Sequence, residues 1–123
     1  MEITSDWLKS NSPIRKELDD EIKKILYLLK DTILISNRNG YTHIKFLLPG
    51  IFPLIQLDND LCRLYIHSQL LKKLINNGFE VILFQNTKKN KYSLNISWAS
   101  HFSTKEIDEM NNIINKYGTN NNY

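Results

Sequence analysis

"NGFEVILFQNTKKNKYSLNISW" occupies residues 77–98, and its reading decides the fold. Two β-rich stretches, 79–86 and 91–98, flank a polar break of hairpin length, "TKKNK". In the second stretch Tyr92, Leu94, Ile96 and Trp98 alternate with Ser93, Asn95 and Ser97. One face is therefore made for a core and the other for water, which pins the strand's register. The apolar run breaks because two strands must reverse there, and polar residues at the tip also keep an apolar β segment from aggregating. A specific use for Lys88, Lys89 and Lys91, contact with a polyanion, stands beside that plain one.

Upstream, "DLCRLYIHSQLLKKLINNG" (60–78) reads as a helix stopped by Gly78. At about 100° per residue, Leu61, Leu64, Leu71, Leu74 and Ile75 share one broad arc, expected to face the core. Tyr65, Gln69, Lys72, Lys73 and Asn76 share another. "YTHIKFLL" (41–48) alternates, with Thr42, Ile44, Phe46 and Leu48 on the apolar side. "PGIFPLIQLDND" (49–60) holds two prolines and a glycine, which predicts a loop or at most one helical turn.

The first helix opens in "SPIRKELDDEIKKILYLLK" (12–30), with Ser12 as N-cap and Pro13 in the first position. Glu17, Asp19 and Asp20 are expected near the positive end of its dipole. Ile14, Leu18, Ile22, Ile25, Leu26, Leu29 and Ile33 keep the 3.6-residue period. Continuation through "TILIS" to about Arg38, with Gly40 as the stop, is favoured over a hairpin turning through "NRNG". At the other end "STKE" (103–106) is a capping box. It starts a helix whose apolar stripe is Ile107, Met110, Ile113, Ile114 and Tyr117, and "GTNNNY" reads as a frayed tail.

The expected architecture is a single α+β domain over residues 12–117, between an N-terminal segment (1–11) and the tail (118–123). It has a three-stranded antiparallel sheet (42–48, 79–86, 91–98), a long N-terminal helix, a central helix and a C-terminal helix. This order is similar to a winged-helix domain if "PGIFPLI" supplies or replaces that fold's second helix. The helix over 60–77 would then be the recognition helix and "TKKNK" the tip of the wing. Lys72, Lys73, Lys88, Lys89 and Lys91 would meet phosphates, Gln69 and Asn76 base edges, and Tyr65 would stack. Any solvated helix face carries the same residue types.

Length and composition agree with one domain: 123 residues, 41% of them hydrophobic. No apolar run approaches the roughly 20 residues of a membrane span, so no membrane partner is expected. "MEITSDWLKS" lacks a basic region followed by an apolar one, so no secretory signal is expected. Cys62 is the single cysteine, which excludes an internal disulfide and suits the inside of a cell or a virion. The net charge of +3 is unevenly spread: residues 61–99 hold six basic side chains against Glu80. Such a bias can attract a polyanion.

"LLKKLINNGFEVILF" followed by "YSLNISW", with "NGYTHIKFLLPG" ahead of them, resembles a small α+β domain in proteins of large DNA viruses, giant viruses among them, and of phages. The shared pattern is leucines on a helix, then G-[YF]-x-V, a variable turn, and L-x-I-S-W, over about residues 14–99. The resemblance implies a viral protein built as a compact α+β module. It implies no chemistry, because Gly78 and Trp98 read as structural residues.

A catalytic centre needs convergent groups. The chain has no glycine-rich phosphate loop, no HExxH and no cysteine pair for zinc. His43, His67 and His101 are isolated from one another, and His67 falls among apolar helix positions, as a hydrogen-bonded core histidine would. Cys62 reads as a small buried hydrophobe, and residues 19–21 ("DDE") as complements of a helix dipole. No catalytic residue, metal or cofactor is assigned. Trp7 and Leu8, ahead of Ser12, either staple onto the domain or dock on a protein partner. The expected function is a non-enzymatic protein-interaction or virion-associated module, self-association included. The alternative is a winged-helix-like nucleic-acid-binding protein.

Overall fold

The computed structural model describes residues 3–119. A short helix α1 (Ser5–Ser10) precedes α2 (Pro13–Arg38). Ser12 caps α2, its hydroxyl accepting the Ile14 N–H, and Pro13 occupies the first turn. The helix runs unbroken for 26 residues, so "TILIS" is helical and the hairpin through "NRNG" does not form. Its stripe explains why: Leu18, Ile22, Ile25 and Leu29 are buried, and Ile33 packs against the same cluster. Gly40, at φ 89°, then reverses the chain in a conformation that favours glycine. Glu17, Asp19 and Asp20 fall beyond the first turn, where the dipole effect fades. Asp19 is instead used by the next helix.

β1 (His43–Leu48), α3 (Asn59–Asn76), β2 (Glu80–Asn86), β3 (Lys91–Ser97) and α4 (Thr104–Tyr117) follow. The three strands form an antiparallel sheet in the order β1-β3-β2. Each lies within a residue of its expected bounds. Ile44 and Val81 both pair with Ile96, and Phe46 and Leu83 both pair with Leu94. This inner face, with Tyr92, carries the core under α2 and α3. The outer face is uncovered. Its rows alternate large and small, as in Leu47–Ser93–Phe84, and Leu47, Ile82 and Phe84 stay exposed while Ser93 is buried between its neighbours.

The strand reversal takes four residues, 87–90. The Asn86 side chain accepts the Lys89 N–H, and Asn90 takes the left-handed conformation (φ 50°) that asparagine tolerates. Residues 49–58 form a loop with a single turn, so the second helix of a winged-helix domain has no counterpart here. The loop is nevertheless fastened. Phe52 is buried and its N–H donates to Asn59 Oδ1. Gly50 lies so close to the hairpin that a Cβ there would meet the Tyr92 ring at 2.7 Å.

Two expectations change. On α3 the core arc is Cys62, Ile66, His67, Leu70 and Leu74. Of the leucine-rich arc read from the sequence, Leu74 is buried and Leu71 half-buried, but Leu61, Leu64 and Ile75 are 51%, 67% and 57% exposed. Trp98 lies at the core's rim, half-buried, edge-on to Phe79, with Nε1–H donating to Asn37 Oδ1. The capping box of α4 forms in both directions between Ser103 and Glu106, yet the helix buries no residue. Gly118 caps it, and residues 120–123 of the expected tail lie outside the described residues.

The reassigned arc can be checked by urea unfolding. Ile66→Ala, at a fully buried position, should cost about 2–5 kcal/mol, a large part of the roughly 5–15 kcal/mol of a small domain. Ile75→Ala on the same helix should stay within about 0.5 kcal/mol of wild type. Comparable losses at both positions would restore the leucine-rich arc to the core.

Candidate interaction surface

The residues singled out for nucleic acid do not form one patch. Tyr65 is held between helices: its hydroxyl donates to Asp19 Oδ1 at 2.6 Å, and the Arg15 guanidinium lies 4.8 Å over its ring. The hydrogen bond to Asp19, then burial, pushes its pKa up. A tyrosine held this way serves the α2–α3 contact. Gln69 is half-buried, and Lys72, Lys73 and Asn76 are exposed.

Lys88, Lys89 and Lys91 are exposed at the hairpin. Because β2 runs back along α3, the hairpin lies at the helix's N-terminal end, where Thr87 shares a groove with Asp60, Arg63 and Leu64. Lys73 borders a different groove, with Lys30, Asn77 and Phe79. Lys72 follows Arg63 by nine residues, about 13 Å along a helix axis. The two basic groups therefore occupy opposite ends of α3.

Trp7 and Leu8 both lie exposed on α1, which Thr4 caps. Lys9 of the same helix, but neither Trp7 nor Leu8, lines an apolar groove between α2 and the N-terminal half of α3, with Ile14, Leu18, Leu57, Leu61 and Leu64. The sequence reading assigned Leu61 and Leu64 to the core and so missed this groove. It also missed the apolar outer face of the sheet. The available signal was in "FEVILF", where Ile82 and Phe84 take outward positions that β3 fills with Ser93 and Asn95.

The ionisable groups inside the domain have structural partners. His67 is buried, with Nε2 3.2 Å from the Pro49 carbonyl, to which it donates. Burial lowers its pKa more than that hydrogen bond raises it. Arg63 is ion-paired with Asp60, donates to the Gly50 carbonyl and lies over the Tyr92 ring. Cys62 is fully buried and burial pushes its thiol pKa up, away from the reactive thiolate. Among the described residues no three His, Cys, Asp or Glu side chains converge on a point that could hold a metal ion. No helix among them is long and apolar enough to cross a membrane. No family model, curated protein or solved structure matches the chain.

His67 gives the domain a defined pH response. Its folded pKa lies below the ordinary value of about 6.5. Above that value the ring is neutral in both states and its stabilising contribution is complete. Below it the unfolded chain takes up a proton that the folded chain refuses, so stability falls with pH until the folded pKa is passed. The melting temperature should drop between pH 7.5 and 5.5, and His67→Gln should flatten that drop. An unchanged pH profile in the variant would remove His67 as its cause.

Proposed function

We propose that the protein is a non-enzymatic interaction module that docks apolar helix surface on protein partners, as a virion-associated or other component of a viral assembly. The observation that carries this reading is α4. It has a complete capping box and five large apolar side chains on one stripe, from Ile107 at 37% exposure to Tyr117 at 75%. Its core-facing equivalents in α2 are covered, whereas α4 makes no extended contact with another element. A helix of this length is marginal in water without tertiary packing, and an apolar surface left contiguous marks an interaction site. The viral setting rests on the sequence resemblance.

The reading is tested with a photo-crosslinking phenylalanine in place of Ile114, in cells that produce the protein. A stoichiometric protein adduct is expected, and Ile107→Glu with Ile114→Glu should abolish the association while leaving the melting temperature within about 2 °C of wild type. A large drop in melting temperature, or crosslinks confined to the protein's own domain, would overturn it.

One observation favours the nucleic-acid reading as the second. Among the described residues the hairpin lysines have no ion-pair partner. If they meet phosphates, changing Lys88, Lys89 and Lys91 to Ser should weaken oligonucleotide binding on every sequence. It should also flatten log affinity against log salt by about 0.9 per lost contact on duplex DNA or about 0.7 on single strands. No wild-type binding at low salt and micromolar protein would end this reading.

A further inference from the structure

Leu61, Leu64, Ser68, Leu71 and Ile75 are spaced by three, four, three and four residues. That is the a/d repeat of a helix seam, and on α3 it lies nearly opposite the buried arc. Neither α2 nor the sheet covers it: Leu61, Leu64, Ser68 and Ile75 are exposed, and Leu71 is half-buried. We infer that α3 pairs with α3 of a second copy, antiparallel across a two-fold axis at Ser68. The inference rests on the interaction-module reading and names a partner for it, through a surface separate from α4.

Three features select a second copy as the occupant. The seam is nearly palindromic about Ser68: in an antiparallel pair Leu61 faces Ile75 of the other copy, Leu64 faces Leu71, and Ser68 faces Ser68. An isologous contact needs this self-complementarity. At the axis, where helices approach most closely, stands the smallest side chain of the seam. Its hydroxyl already donates to the Tyr65 carbonyl at 3.0 Å, so covering it strands no donor.

The charges of α3 are also polarised. Asp58 lies at the N-terminal end and Lys72 near the C-terminal end. Arg63 is ion-paired with Asp60 and donates to the Gly50 carbonyl, which leaves Asp58 as the uncompensated acid of that end. Antiparallel pairing sets the acidic end of each copy toward the basic end of the other. The grooves flanking Leu64 and Ser68, toward α2 and toward β2, give the facing leucines somewhere to seat. Lys72 thereby acquires a role that needs no nucleic acid.

The axis makes a sharp test. Ser68→Cys should form a covalent dimer under mild oxidation, read on a non-reducing gel, because the two introduced thiols face each other. Wild type should not, since Cys62 is fully buried, and Lys23→Cys on the exposed side of α2 should stay monomeric. Sedimentation across roughly 1–200 μM brackets the micromolar constants expected of a small interface. There wild type should move from monomer to dimer. Leu64→Glu with Ile75→Glu should remain monomeric with an unchanged melting temperature, and the Ile107→Glu, Ile114→Glu variant should still dimerise. A monomeric wild type, or crosslinking at Lys23→Cys equal to that at Ser68→Cys, would overturn the inference. So would a dimer lost through α4 and kept through α3, which would seat α4 on the seam and leave the wider interaction reading standing.

Discussion

The inner face of β3 is the constraint from which the rest follows. Leu94 and Ile96 sit on the central strand, paired on both sides, and are almost wholly withdrawn from solvent beneath α2 and α3. Three strands spaced about 4.8 Å apart make a sheet roughly 14 Å wide. Two helices side by side, each about 10 Å across, already span that width. A third helix has no place on this face. α4 follows the sheet in the chain with its stripe intact and nothing of this layer left to cover. Among the described residues the outer face of the sheet and the second apolar arc of α3 are exposed as well.

Hydrogen bonds inside the domain set directions more than they set stability. A neutral one contributes about 1 kcal/mol net, against roughly 1.5–3 kcal/mol for burying one large apolar side chain. What they do is tie irregular segments to regular ones. Tyr65 joins α3 to Asp19 of α2, and Trp98 joins the end of the sheet to Asn37. His67 and Arg63 hold the Pro49–Gly50 backbone. Among the described residues no buried side-chain polar atom lacks a partner.

The positive charge concentrated in the middle third of the sequence divides in space into a hairpin group and a helix-end group. The apolar surfaces are carried on regular elements: a capped helix with no extended contact to another element among the described residues, and a seam with heptad spacing. Both are regular elements, which can present side chains with less loss of conformational entropy than loops can. A module with two such surfaces can join its own copies through one and a different protein through the other.

The local signals were legible. Ser12, Pro13, Ser103 and Glu106 marked helix starts, Gly40 and Gly78 marked stops, and the alternation in "YSLNISW" set the register of β3. Each depends on the backbone's own requirements within a few residues, so one sequence suffices to read it. Direction was not legible. α3 is apolar on two arcs, and counting leucines chose Leu61, Leu64 and Ile75 over Cys62, Ile66 and Leu70. The four-residue steps from Cys62 through Ile66 and Leu70 to Leu74 were the better guide, but periodicity alone cannot say which of two stripes meets the sheet. The stripe of α4 was legible as a stripe, but not that the folded domain leaves it uncovered. Whether an apolar face is covered depends on how much opposing surface the other elements leave over, and that quantity exists only once the helices and the sheet have been packed together.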